Sequence, residues 1–560
     1  MTARGWDRVD IVLVTGDAYI DHPSFGVALI GRWLESHSFR VAVLAQPHHD
    51  SPKDFTTFGR PRLFFGITAG NMDSIVANYT ANAKVRDVDD FSPAGNPYFG
   101  DTPKKSARRR PDRATIRYAN LARAAYRDVP IILGGLEASL RRFTHYDYQQ
   151  QKIRASILTD AKADLLVYGM GERPILEIAN RLQAGRDLHN IPSTCERLTD
   201  REFGARDFAE PPQALPALAA IQKEPTAFLT AELQIDKQAR AAAATELAQK
   251  QQALWVLQHR PAAPFSTKEL DALYDLPFVR SPHPQAKRVP AYTMIRHSIA
   301  IVRGCSGNCS FCAISRHQGP QITSRSIDSI TAEARQVAAM ADFKGTISDL
   351  GGPTANLFGV SCSKSSCNRH DCLYPKTCRH LKVDEKAFLD LLDAVGRVPG
   401  VQHLYISSGL RMELLLKTPK LLSRLIDQHL PGAMKIAPEH TEKNILRLMH
   451  KTGPELLEQF LNTCRGMAAH QKKTIHFTPY FIASHPGCTV ADMQRLTETV
   501  TRLGLQVRQF QDFTPTPGTL STAMYVSGHD RDTGQPIPVA RKATERRAQR
   551  LLLEKIHQQR

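Results

Sequence analysis

Apolar residues recur along this chain in two rhythms. Short unbroken runs alternate with stretches in which every third or fourth residue is apolar. Residues 11–14 (Ile-Val-Leu-Val) and 40–44 (Arg-Val-Ala-Val-Leu) read as buried strands. Between them Val27, Ile30, Trp33 and Leu34 fall at helical spacing, with Ser24 placed to cap that helix. Further on, residues 130–133 (Pro-Ile-Ile-Leu) run into Gly134 and Gly135. Residues 164–168 (Asp-Leu-Leu-Val-Tyr) run into Gly169-Met-Gly171, and a helix is expected over 174–182. Strands alternating with helices predict an α/β fold with a doubly wound parallel sheet over residues 1–190.

Residues 191–290 break this rhythm. They hold Pro211-Pro212, an Ala-rich stretch that predicts a helix over 237–258, and joints at Pro261, Pro264, Pro282 and Pro284. A helical, Pro-rich connecting region is expected. Alternation resumes over 291–525, and 526–560 form a basic C-terminal tail. Its residues 539–560 carry seven Lys or Arg against two Glu and read as a solvated terminal helix. No internal repeat is present.

A length of 560 residues implies two or three domains. Hydrophobic residues at 42% and charged residues at 23% are those of a soluble globular protein. No run of eighteen apolar residues exists, so no transmembrane helix is predicted, and residues 1–14 lack a signal-peptide core. A cytoplasmic location is expected. The formal net charge of +18 favours polyanionic partners, RNA above all. The basic run 104–113, with six Lys or Arg and one Asp, reads as a solvated loop.

Seven of the ten cysteines lie between residues 305 and 378, a clustering that points to metal rather than disulfides. Cys195, Cys464 and Cys488 are scattered and read as ordinary thiols. Residues 303–312 (Arg-Gly-Cys-Ser-Gly-Asn-Cys-Ser-Phe-Cys) space Cys305, Cys309 and Cys312 by three and then two residues, directly after an apolar segment over 298–302. Such a loop sits at the C-terminal end of a strand, where parallel barrels build active sites. A 4Fe-4S cluster takes four ligands, so three local thiolates leave one iron open to a small molecule. A zinc site completed by His317 remains the alternative at this point, although zinc knuckles favour paired CxxC units. A second group, Cys362, Cys367, Cys372 and Cys378, lies among Lys364, Arg369, Lys376 and Arg379, with His370 and His380 near. It is a candidate second Fe-S or zinc site.

The cysteine loop, with Phe311 just before its last Cys, resembles the radical SAM signature. Later segments follow in the order that superfamily shows. Residues 349–354 (Asp-Leu-Gly-Gly-Pro-Thr) resemble its Gly-Gly motif, with Pro353 where an acidic residue is common. Residues 407–413 and 435–440 resemble the strand ends whose Arg and Glu reach S-adenosylmethionine, here Arg411 and Glu439. Residues 484–487 and 514–519 resemble late-barrel Pro-Gly turns. Over residues 8–530 the chain is similar to the YgiQ-type radical SAM proteins, through 16–26, 134–139, 169–172, 348–356 and 435–441.

The resemblance implies a radical SAM partial parallel (β/α) barrel preceded by a Rossmann-like, cobalamin-binding-domain-like domain. It implies a 4Fe-4S cluster on Cys305, Cys309 and Cys312. S-adenosylmethionine would lie on Phe311, Gly351, Gly352, Arg411 and Glu439, and its reductive cleavage would yield a radical that attacks a substrate. An electron donor such as flavodoxin or ferredoxin is implied as partner. The substrate is not implied; the charge puts a macromolecule, RNA, first. The competing class is a non-catalytic Fe-S or zinc protein that binds RNA. The cobalamin pattern Asp-x-His-x-x-Gly is not met, because Asp21 and His22 are adjacent, and the dinucleotide fingerprint is absent.

Overall fold

The apolar run at 11–14 forms the hub of a sheet. In the computed structural model, which describes all residues except 2–3, 101–103, 242–243, 287, 365–366, 368–370 and 559–560, strand Ile11–Thr15 is buried along its whole length. It pairs in parallel with Val41–Ala45 on one side and Phe64–Ile67 on the other; Ile131–Leu133 and Leu165–Val167 continue the sheet. Alternate side chains serve opposite faces. Ile11, Leu13 and Phe64 pack with Leu34, Ile175 and Ile178, whereas Val12, Val14 and Phe65 pack with Ala114, Tyr118 and Ile157. A sheet covered on both faces needs apolar residues at every position, hence the unbroken runs. Helix Gly26–Ser36 carries no side-chain cap at its N-cap Phe25, so Ser24 does not cap it.

The expected connecting region supplies four more strands to the same sheet. Thr194–Thr199, Leu254–Gln258, Leu247–Gln251 and Gln213–Leu215 extend it to nine strands, with mostly antiparallel pairing. The helix expected over 237–258 is therefore corrected. Helix Pro225–Ala239 ends there, and a hairpin follows. Buried Leu247, Val256 and Leu257 close the sheet core, and tertiary pairing overrides the helix preference of alanine.

The second half is an arc of six strands joined in chain order by five parallel pairings. Ser298–Ala300 pairs with Asp349–Gly351, Thr346–Ile347 with His403–Leu404, Leu410 bridges to Ile436, Ala433–Glu439 pairs with His476–Ala483, and the latter with Gln509–Asp512. Ile301, Ile347, Leu350, Ile436 and Phe481 share one core with the flanking helices. Terminal helix Ala543–Gln558 is not merely solvated. Leu553 is fully buried, Arg546 donates to the Phe513 carbonyl at 2.6 Å, and Gln549 Oε1 accepts from the Ser484 amide at 2.8 Å.

Within the basic run 104–113, Arg110 also turns inward. Arg110 is 1% exposed and lies between Asp17 at 2.6 Å and Asp89 at 3.2 Å. Ion pairing to acids from distant loops draws this cation in. Among the described residues no helix is long and apolar enough to cross a membrane.

Candidate functional site

The cysteine loop leaves the first barrel strand and is framed by a short antiparallel pair, Val302–Arg303 with Thr323–Ser324. The Cys305 amide donates to the Gly319 carbonyl, and Cys312 closes a turn onto the Cys309 carbonyl at 3.0 Å. Cys305 and Cys309 are buried. Burial, helped by neighbouring Cys309, pushes the Cys312 thiol up to about 12.

Arg411 reaches this loop from the end of the third barrel strand. Its Nη2 lies 3.5 Å from Cys309 Sγ and 3.7 Å from Cys305 Sγ. Gly307 makes room: a Cβ there would stand 2.1 Å from Nη2. Burial opposes the charge on Arg411, but the Cys309 and Cys305 sulfurs and the Glu413 carboxylate outweigh it and keep the guanidinium protonated. Asn356 pins the Arg411 backbone on both sides, accepting from its amide at 3.0 Å and donating to its carbonyl at 2.9 Å.

Gly351 and Gly352 end the second strand under tight contact. A Cβ on Gly352 would lie 2.8 Å from the Val302 carbonyl oxygen, at the root of the cysteine loop. A Cβ on Gly351 would lie 2.5 Å from Asp349 Oδ2. Asp349 in turn accepts from the Ser407 and Ser408 amides at 2.8 and 3.1 Å, joining the second strand end to the third. Phe311 packs edge-on to His485, with ring centres 6.5 Å apart.

Glu439 ends the fourth strand in the left-handed region, φ +67°. It is buried, and its Oε2 has no hydrogen-bond partner. Burial raises its pKa against the pull of Lys451 and Arg411. Ser484 ends the fifth strand with φ +60°, and its Oγ is also buried without a partner. Strained residues with unsatisfied polar atoms at adjacent strand ends are the marks of a binding site.

The donor set suits a three-thiolate cluster: Cys305 and Cys309 are buried and Cys312 half-buried on one loop, beside one fixed cation. Among the described residues no three His, Cys, Asp or Glu side chains are already gathered as metal ligands. His317 bonds Ser139 Oγ at 3.0 Å rather than turning to the thiols. Of the second group, Cys362 sits in the hairpin Val360–Cys362 with Leu381–Val383, and the Cys378 amide donates to the Cys372 carbonyl at 2.8 Å. Arg369 and His370 lie outside the described residues.

The N-terminal motifs press on the flanks of the cysteine loop. Glu172 pairs with Arg303 at 2.7 Å, and Ser139 holds His317. Asp349 and Asn356 were not singled out from the sequence, although both lie in the matching segment 348–356. Ser484 was visible only as part of a Pro-Gly turn.

Residues 1–298 match the family described as Radical SAM N-terminal, and residues 299–500 match the Radical SAM superfamily. A UPF0313 protein of Methanocella arvoryzae is 44% identical over 563 residues, covering 99% of this chain and 91% of the relative. One from Geobacter sulfurreducens is 46% identical, covering 98% and 90%. Among solved structures, the fold is similar to TsrM from Kitasatospora setae, a radical S-adenosylmethionine methyltransferase with tryptophan substrate and aza-SAM bound. The TM-score is 0.51 at 15% identity, covering 90% of this chain and 74% of that one. A second TsrM structure, with cobalamin and a [4Fe-4S] cluster bound, gives 0.50 at 16% identity, covering 91% and 76%. The expected architecture, a Rossmann-like domain before a radical SAM barrel, is borne out.

Proposed function

The chain belongs to the radical SAM superfamily, in its UPF0313 (YgiQ-type) family, and from that premise we propose that Cys305, Cys309 and Cys312 hold the 4Fe-4S cluster. It is an enzyme, and its superfamily implies that cluster and S-adenosylmethionine as cofactors. The observation that carries the assignment is the Arg411 guanidinium shared by two of the three sulfurs, with the unpartnered Glu439 carboxylate on the next strand.

A cluster bound there supplies the electron for reductive cleavage of S-adenosylmethionine. The chain's own residues supply the rest. Arg411 offers a cation to the methionyl carboxylate. Glu439 offers a buried acceptor that binding would satisfy. Gly352 keeps the second strand close under the loop, Gly351 leaves room for Asp349 and Ser408 beside it, and Phe311 gives an apolar wall. The nine-stranded sheet ends by residue 258 and the barrel begins at 298, which supports a domain division near 290.

TsrM, with a similar fold, is solved with cobalamin bound. In this chain the crevice at the sheet's switch point, beside strand Ile11–Thr15, is filled by Asp17, Arg110, Asp89, Gln46 and Ser92, each 7% exposed or less. A Cβ on Gly16 would already meet the Ala69 carbonyl oxygen at 2.4 Å. These residues do not fit a corrin, and the reaction proposed here uses none.

RNA is the substrate class that the +18 charge favours, with a flavodoxin or ferredoxin as electron donor. The test is anaerobic reconstitution, incubation with S-adenosylmethionine and a strong reductant, and assay of 5′-deoxyadenosine with and without bulk RNA. Product that disappears with Cys305→Ala, Cys309→Ala or Cys312→Ala establishes the assignment. Zinc without iron or labile sulfide would overturn it. A rate indifferent to RNA would remove RNA from the reading.

A further inference from the structure

Helix Pro225–Ala239 comes from the N-terminal half of the chain, yet one side of it faces the cysteine loop. Its apolar residues Phe228, Leu229 and Ala231 pack with Leu448, Ala523 and Met524 and fix it to the barrel. Glu232, Asp236 and the capping Arg240 follow at intervals of four, so they stack along one face. All three are buried.

This stripe grips the loop between its first two cysteines. Arg240 Nη2 donates to the Gly307 carbonyl at 3.3 Å and to Ser315 Oγ at 2.8 Å. Asn308 Nδ2 donates to Asp236 Oδ2 at 3.1 Å. Arg316, just beyond Cys312, bonds Glu232 Oε2 at 3.2 Å and lies 3.6 Å from Asp236 Oδ1. Burial opposes the charge on Asp236, but Arg316, Arg240 and Arg531 outweigh it and hold its carboxyl down to about 2. Gly307 and Asn308 are therefore tethered on this side by the helix, while Arg411 stands against Gly307.

We propose that Asp236 and Arg240 are positioning residues for the cluster. They set the path of the peptide between Cys305 and Cys309, and they place one fixed anion and one fixed cation against that peptide. This rests on the three-cysteine assignment above. The segment Ser306-Gly307-Asn308 is small and polar, and untethered it would lose conformational freedom on loading; the tethers hold it in place beforehand. The two charges also act on reduction with opposite sign. Removing the cation makes the added electron harder to accept, and removing the anion makes it easier.

The full-length chain, reconstituted anaerobically with iron and sulfide, is compared with Asp236→Asn, Arg240→Met and Arg240→Lys. The readouts are the midpoint potential from an EPR-monitored titration and the rate at which a chelator strips iron. Asp236→Asn and Arg240→Met are expected to release iron roughly tenfold faster, with Arg240→Lys near the parent. The potential should rise in Asp236→Asn and fall in Arg240→Met, a pattern that general loosening would not produce. If Asp236→Asn does not fold, Asn308→Ala removes the loop's hydrogen bond to Asp236 and takes its place in the iron-release measurement. Unchanged iron release and potential, or potentials moving together, overturn the proposal and leave the cluster assignment standing. A parent chain that binds no iron overturns both.

Discussion

Nη2 of Arg411 lies 3.5 Å from Sγ of Cys309, joining residues 102 apart in the chain. If the three thiols hold the proposed cluster, that contact would put the cation within reach of a carboxylate bound there. Arg411→Ala is expected to weaken S-adenosylmethionine binding about 30- to 100-fold, the loss of a charge-assisted hydrogen bond worth about 2–3 kcal/mol. Iron content should stay near the parent's. Equilibrium dialysis with iron analysis checks both, and loss of iron would mean that Arg411 holds the loop instead.

Gly352 has no room for a methyl group, because Val302 Cγ1 and its carbonyl oxygen lie 2.7 and 2.8 Å from the Cβ position. Gly352→Ala should cost about 1–3 kcal/mol through overpacking. The strain falls at the root of the cysteine loop, so iron retention should drop as well. Thermal unfolding and iron analysis on reconstituted protein give the answer, and a neutral effect on both would remove the close approach from the account.

Glu439 is a carboxyl whose pKa burial raises. The unfolded chain then holds its charge more comfortably than the folded one. Above the ordinary value of about 4.3 this group destabilises the fold, increasingly so until pH passes its raised native value. The penalty vanishes as pH falls below the ordinary value. Glu439→Gln should therefore raise the unfolding temperature at pH 8, with the gain shrinking toward pH 4, while S-adenosylmethionine affinity falls. A melting series across pH measures this, and a variant less stable at pH 8 would contradict it.

Arg110 neutralises Asp17 and Asp89 inside the N-terminal sheet's crevice. Arg110→Met leaves two buried carboxylates facing each other and should cost about 3–5 kcal/mol. Adding Asp17→Asn and Asp89→Asn should recover much of that loss. Denaturant titration of the single and triple variants tests the coupling. Hydroxocobalamin should not bind the parent chain, which absorbance after gel filtration would show.

Cys305, Cys309 and Cys312 stand out as the proposed sulfur donors from local spacing alone, since three thiols on one loop need no distant partner to be picked out. The parallel strands were legible for a similar reason, since a sheet buried on both faces must be apolar at every position. Arg110 was not. A basic run looks solvated until the fold brings Asp17 and Asp89 against it. The stretch 237–258 misled because alanine-rich composition favours helix, whereas Leu247, Val256 and Leu257 had a sheet edge waiting for them.

Short contiguous segments of the chain carry the superfamily, the three proposed sulfur donors and the order of the barrel motifs. Which side chains surround those sulfurs is set by packing. Arg411 comes from 102 residues downstream of Cys309, and Arg240 bonds Gly307 from 67 residues upstream. The left-handed turns at Glu439 and Ser484 are likewise set by strand ends meeting in the barrel. Contacts between residues so far apart leave no periodic trace in the chain, because they are chosen by how the sheet and the barrel pack and not by any local preference.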